Sequence, residues 1–320
     1  MEGHKPNILV IGIGGAGNNI ITRLNKDGLL ERVQTLGVDT NVQNLLNSAS
    51  DKKLAIGAST KGLGAGKDPK IGEIAAKKSI KIIRDHINAE IVFLIAGLGG
   101  GTGTGSTPII SRIARNKGIL TICICTLPFK VEGRKRMDFA LVALEEITAV
   151  VDALIVIPNE KLLEMAPTSS LKDAFRIADE LAVTALQGII ELVAKPGLIN
   201  VDLADLRTLF SLSKKPTGIS IIWRGKSKGT NRVKEAVQKA MEFPFITVDL
   251  SIATGAIINV TGSPDLSLQD AHKIVQYVTD KLNENAQVIW GLIIDKALTN
   301  TVKVTIVISG VEIIFDDFAE

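Results

Sequence analysis

Five continuous aliphatic runs divide the first half of the chain: Asn7–Gly12 (NILVIG), Val33–Val38, Ile91–Ala96 (IVFLIA), Ile119–Thr126 (ILTICICT) and Ala153–Ile157 (ALIVI). A strand with one wet face alternates apolar and polar residues. Runs with no polar face suit strands covered on both sides, as in a parallel sheet between two helical layers. Segments of helical period fall between them, at 17–27, 69–87, 107–117, 136–150 and 160–165. This alternation predicts an α/β fold with a doubly wound parallel sheet and ligands at the carboxyl ends of its strands.

The second half reads differently. Ser170–Lys195 keeps a helical pattern until Pro196-Gly197 stops it, and such a helix would be about 37 Å long, enough to connect two domains. Beyond it, 217–223, 229–243, 254–261, 267–284, 287–295 and 302–309 read β-α-β-α-β-β, a smaller α+β domain. The expected organisation is a first domain over 1–169, a long helix over 170–195 and a second domain over 196–320.

Composition excludes several classes. With 46% hydrophobic and 22% charged residues the chain can bury a large core and is not intrinsically disordered. Lysine plus arginine total 37 against 34 acidic residues, a net +3 that predicts no nucleic-acid partner. No apolar run approaches the ~18 residues of a membrane span, and MEGHKPNILVIG lacks the pattern of a secretory leader. A cytoplasmic protein without membrane insertion is expected. Cys123 and Cys125 read as buried free thiols, with no further Cys or nearby His to complete a metal site, and none of the scattered His4, His86 and His272 reads as a catalytic base. Aromatic residues are scarce at 4%, whereas there are 29 glycines, many of them clustered.

Three loops hold much of that glycine. Gly12-Ile13-Gly14-Gly15-Ala16-Gly17-Asn18-Asn19 follows a strand and opens a helix, where backbone N–H groups and the positive helix end suit a phosphate. It satisfies G-x-G-x-x-G, and Asp39 ends the second strand where a dinucleotide fold places its ribose carboxylate. Alone, these residues favour a dinucleotide site, with a ligand-free strand–helix turn as the alternative. The second loop, Gly97-Leu98-Gly99-Gly100-Gly101-Thr102-Gly103-Thr104-Gly105, has six glycines in nine positions. Such a run predicts positive φ and close backbone approach to an oligophosphate, with Thr107-Pro108 as N-cap and first residue of the next helix. The third, Lys61–Pro69 (KGLGAGKDP), fails as a Walker A loop because Lys61 and Asp68 stand where glycine and a hydroxyl residue belong. It suits closure over a terminal phosphate, with Lys67 adding charge.

In combination the motifs become specific. GLGGGTGTG at 97–105 resembles the signature loop of the tubulin/FtsZ family, and GLINVDLADL at 197–206 resembles the FtsZ segment that completes a neighbouring subunit's active site. PFKVEGRKR (128–136), IPNEKLLE (157–164), AFRIADEL (174–181) and NVTGSPDLSL (259–268) are similar to family motifs in order and spacing. The resemblance implies a self-assembling GTPase that forms head-to-tail homopolymers in the cytokinetic ring. GTP and GDP would be its substrate and product, with Mg²⁺ and K⁺ as cofactors and division-ring adaptor proteins as partners.

Carried over by position, Gly14, Gly15, Ala16, Gly17, Asn18 and Asn19 would face the α- and β-phosphates. Gly100, Gly101, Thr102, Gly103 and Thr104 would hold the β- and γ-phosphates, with Gly97 and Gly66 also in the binding set. The resemblance puts Glu132 on the ribose, Arg136 near sugar and base, and Asn159 in the binding set. Phe175 would stack on guanine and Asp179 accept from its N1 and N2, two donors that adenine does not present together. Asn200, Asp202 and Asp205 would act on the next subunit's GTP, the aspartates polarising the attacking water; helix N-capping by Asp202 is a compatible reading.

Three features depart from the family pattern. Asp39-Thr40-Asn41 replaces N-T-D, Lys67-Asp68 replaces a small residue and asparagine, and the acidic end FDDFAE is a poor substitute for the family's linker and adaptor-binding peptide. Lys67 is expected to change γ-phosphate or monovalent-cation sensing. A dinucleotide oxidoreductase and a non-hydrolysing filament protein are the rival readings.

Overall fold

The computed structural model describes residues 6–26, 33–160, 171–194, 197–212, 219–242 and 248–311. Contacts divide it into two compact units, with the boundary between Val183 and Thr184.

In the first unit the strands β1 (Ile8–Ile13), β2 (Gln34–Asp39), β3 (Lys52–Ala55), β4 (Ile91–Gly97), β5 (Leu120–Leu127) and β6 (Ala153–Pro158) form a parallel sheet in the order β3-β2-β1-β4-β5-β6. Order reverses between β1 and β4, and there a crevice opens at the carboxyl ends. β1 and β5 are buried along their whole lengths, as their unbroken aliphatic runs require. The helices are α1 (Gly14–Lys26), α2 (Val42–Asn47), α3 (Pro69–Lys78), α4 (Ile80–His86), α5 (Thr102–Asn116) and α6 (Arg134–Thr148).

Several local expectations change. The pattern at 69–87 is two helices, broken at Ser79, whose Oγ accepts from Gly57 N at 3.3 Å. β3 and α2 are too short, at 4 and 6 residues, for any period to show. Thr107-Pro108 does not begin a helix: α5 starts at Thr102, and Pro108 lies inside it. Thr107 Oγ1 instead donates to Gly103 O at 2.5 Å. Of the segment expected to be helical at 160–165, positions 161–165 lie outside the described residues.

The long helix α7 spans Leu171–Ala194, and the unit boundary falls within it. The second unit continues with α8 (Leu203–Leu212), β7 (Ile219–Lys228), α9 (Arg232–Met241), β8 (Gly255–Gly262), α10 (Leu268–Thr279), β9 (Gln287–Ile294) and β10 (Thr301–Val311). β10 lies antiparallel between β7 and β8, and β9 runs parallel to β8 at the edge. One face packs Ala236, Val237, Ala240, Ala271, Ile274 and Val278 against Ile258, Val304 and Ile306. This is an aliphatic core with little aromatic content, consistent with the composition.

Candidate nucleotide site

At the carboxyl ends of the parallel strands lies a cavity of about 480 Å³. Gly14, Gly15 and Ala16 line it from the first glycine loop, Gly97 and Gly100–Gly103 from the second, and Gly64–Lys67 from the third. Glu132, Arg136, Asn159 and Phe175 complete its far side. The structure thus gathers residues from every nucleotide motif of the first unit. Gly17, Asn18, Asn19, Thr104 and Asp179 do not line this cavity.

The glycines divide into two kinds, which corrects the expectation that the second loop is open backbone of positive φ. Within it only Gly99 has φ in the left-handed region, at 93°. A Cβ on Gly103 would stand 2.4 Å from Gly97 O, and one on Gly105 would stand 1.9 Å from Pro69 O. These glycines let α5 approach β4 and α3. Gly17 plays the same part in the first loop, its added Cβ meeting Ile95 O at 2.2 Å. Gly100 differs, having nothing within 4 Å of an added Cβ. Gly14, with φ 72°, makes the tight turn from β1 into α1.

Polar groups beneath the loops fix their shape. Asn18 is buried and donates to Gly14 O at 2.9 Å and Val38 O at 3.3 Å, tying the first loop to β2. Asp39, also buried, accepts from Asn41 N at 3.1 Å, Asn44 Nδ2 at 3.2 Å and Thr102 Oγ1 at 3.2 Å. Both carboxylate oxygens are engaged within the protein. Thr104 Oγ1 accepts from Gly99 N at 2.9 Å, closing the second loop on itself.

On the opposite side, Phe175 is 41% exposed and meets the buried ring of Phe129 edge to face at 4.8 Å. A buried aromatic thus holds an exposed one, the arrangement a stacking platform needs. Asn159 is buried, and its Oδ1 has no hydrogen-bond partner among the described residues. Such an orphaned polar atom lining a cavity fits a hydrogen-bonding ligand. Glu132 accepts from Phe129 N at 3.0 Å and pairs with Arg136. Asp179 lies 3.3 Å from Arg23. Burial pushes its carboxyl up to about 6, the Arg23 charge opposes that rise, and Glu180 adds to it.

In the second unit, Asn200 Oδ1 accepts from Gly197 N at 2.6 Å. Asp202 Oδ1 accepts from Asp205 N, and Asp205 Oδ2 from Asp202 N, both at 2.9 Å. This reciprocal capping box starts α8, and it leaves each aspartate one further oxygen. The capping reading of Asp202 therefore holds, and includes Asp205.

Sequence reasoning missed Asn44, Leu98, Thr126 and Pro128 as lining residues. Thr126 was accessible to inference, because in-register parallel pairing sets it beside Gly97 at the strand end. Asn44 carried no signal, sitting in a six-residue helix.

Glycine loops at the ends of a parallel sheet, with an exposed aromatic and a buried amide lining one cavity there, fit a nucleotide-binding α/β protein. Residues 7–167 match the family profile described as Tubulin/FtsZ family, GTPase domain, and residues 218–312 match FtsZ family, C-terminal domain. The chain belongs to the FtsZ family of GTPases. It is 46% identical over 310 residues to cell division protein FtsZ 1 of Methanocaldococcus jannaschii, covering 96% of this chain and 84% of that one. Identity is 44% to cell division protein FtsZ of Methanothermobacter thermautotrophicus, covering 97% and 81%. The solved structure of an empty FtsZ dimer from M. jannaschii superposes with a TM-score of 0.87 at 46% identity, covering 97% of this chain and 89% of that one.

Proposed function

We propose that this chain is a cell-division GTPase that polymerises head to tail and hydrolyses GTP at the junction between copies. One observation carries the trans arrangement: both carboxylates that line the cavity are already engaged. Asp39 is bonded to Asn41, Asn44 and Thr102, and Glu132 to Phe129 N and Arg136. Neither has the freedom to orient an attacking water. Asp202 and Asp205 each keep an oxygen, and Asp202 is exposed. Supplied by the next copy, they complete the site.

In this reading residues 1–169 bind nucleotide, 170–195 connect, and 196–320 present the acids. The three glycine loops hold the phosphates, Glu132 and Arg136 the ribose side, and Phe175, Asp179 and Asn159 the guanine. Asn200 steadies the acidic turn through its bond from Gly197 N. Among the described residues no three His, Cys, Asp or Glu side chains converge. Mg²⁺, when bound with the nucleotide, would offset the phosphate charge. A surface that meets a different surface on the next copy propagates into a filament unless the rotation closes; the M. jannaschii relative, solved as a dimer, agrees with self-association. Assembly in the cytoplasm at the division site, with adaptor proteins as partners, accords with the relatives being cell division proteins.

Turnover per subunit should rise with protein concentration and level off above the threshold at which protein pellets. A rate independent of concentration through that threshold removes the trans site. Asp205→Ala should bind GTP and pellet while hydrolysing ~100-fold more slowly; near-normal turnover takes Asp205 out of the reaction.

A further inference from the structure

The helix α3 carries its apolar residues the wrong way round for a helix packed on a core. Its buried side is made of the small residues Gly72, Ala75 and Ala76. A Cβ on Gly72 would stand 2.3 Å from Gly101 O, so that side is already closed against the backbone leading into α5. The large apolar residues, Ile71 and Ile74, lie on the other side and are 40% and 47% exposed. In α4, Ile83 is fully buried whereas Ile82 is 46% exposed. Both helices pack on α5, so their exposed sides look away from it together. Single exposed apolar residues are ordinary, but three isoleucines between positions 71 and 82 make a patch, and each forgoes the gain that burial would give it.

The rest of that side is basic. Residues 69–86 hold Lys70, Lys77, Lys78, Lys81 and Arg84 against Glu73 and Asp85, so this stretch carries a net charge equal to the +3 of the whole chain. All five cations are exposed, and Glu73 is paired with Lys77 at 2.5 Å. Lys117, just past α5, adds a further cation at the end of α4, donating to Arg84 O at 3.2 Å.

Exposed isoleucines among lysines match the boundary of a lipid bilayer. There the apolar side chains enter the acyl region, and the ammonium groups reach anionic headgroups on their flexible stems. Nucleic acid fits less well: its phosphates would engage the cations but leave the isoleucines in water. Residues 69–86 also hold no Phe, Tyr or Trp on which a base could stack. Among the described residues no helix is long and apolar enough to cross a membrane, so the contact stays at the surface.

We propose that the outward face of α3 and α4, with Ile71, Ile74 and Ile82 and the lysines beside them, binds the surface of an anionic lipid bilayer. The contact needs neither nucleotide nor a second copy, so it stands or falls apart from the GTPase reading. In a filament the same face would recur on every copy, and many weak contacts would combine into a tight one.

The test is flotation of the full chain with vesicles, without nucleotide and below the concentration at which protein pellets. Wild type should float with vesicles of equimolar phosphatidylglycerol and phosphatidylcholine and stay behind with pure phosphatidylcholine. Raising salt from about 100 mM to about 500 mM should release most of it. K70Q/K77Q/K78Q/K81Q should weaken binding to the anionic vesicles ~10-fold or more, and I71S/I74S/I82S ~5-fold or more. Because these positions are exposed, both variants should melt close to wild type. Ile74→Trp gives a reading confined to the face and independent of the multiple variants. Its emission should move to shorter wavelength on anionic vesicles, while the wild-type spectrum, from Trp223 and Trp290, does not. Equal flotation with neutral vesicles, no loss in the lysine variant, or an unshifted Ile74→Trp spectrum overturns the proposal. Duplex DNA that binds wild type more tightly than the anionic vesicles do, with no loss in the isoleucine variant, also overturns it and assigns the face to a polynucleotide.

Discussion

The two glycine-rich stretches on either side of the cavity use one residue type for opposite ends. In 97–105, Gly101, Gly103 and Gly105 sit where any methyl would collide with neighbouring segments, so glycine there is a packing device that draws α3, α5 and β4 together. In 61–67, Gly64 and Gly66 have room for a Cβ but hold left-handed φ of 93° and 57°. Glycine there is a conformational device that shapes a loop. Close packing thus belongs to the wall that would receive the phosphates, and left-handed backbone to the loop that would close on them. Gly100 belongs to neither class, with open space and no positive φ.

Alanine substitutions separate the three uses. Gly105→Ala forces a methyl to within 1.9 Å of Pro69 O and should cost ~3 kcal/mol or more, the high end of overpacking. Gly66→Ala meets nothing within 4 Å but must adopt φ 57°, which should cost about 1 kcal/mol. Gly100→Ala should leave stability within about 0.5 kcal/mol while weakening GTP, because only the ligand would feel its methyl. Denaturant unfolding ranks all three; equal losses at Gly105 and Gly100 would erase the distinction between packed and open backbone.

A smaller effect sharpens the comparison at the base end. Burial holds Asp179 near 6, above its ordinary 3.8. A carboxyl raised in the folded state binds its proton more tightly there, so its contribution to stability is present at low pH and is lost as pH rises through about 6. Guanine needs the ionised form as acceptor, so GTP affinity should fall as pH drops below about 6 while stability gains slightly. Asp179→Asn should flatten both trends; affinity that stays constant from pH 7 to 5 in wild type would remove Asp179 from base recognition.

Much of this was legible in the sequence for identifiable reasons. Buried parallel strands announce themselves as unbroken aliphatic runs, so β1, β2, β4, β5 and β6 were visible while the four-residue edge strand β3, exposed at three of its positions, was not. The glycine loops pointed to the cavity correctly, but not to which glycine faces it, since a clash with Pro69 O or Gly97 O depends on contacts 30 or more residues away or across a turn. Thr107-Pro108 misled because the helix already starts at Thr102 and carries Pro108 inside it. Asp39 resembled a ribose ligand until Asn44 and Thr102 took its oxygens. The acidic pair at 202 and 205 was readable both as a cap and as chemistry, and its geometry satisfies the first while leaving oxygens for the second.

Complementation between two damaged proteins tests the central claim most directly. Asp205→Ala keeps the cavity but lacks an acid, and Asp179→Ala keeps the acid but, on the proposed reading, impairs guanine binding. If catalysis is completed between copies, an equimolar mixture hydrolyses GTP several-fold faster than the sum of the two measured separately, and the gain requires concentrations at which they co-pellet. If the mixture co-pellets and yields only that sum, each subunit hydrolyses its own nucleotide, and the head-to-tail account is contradicted.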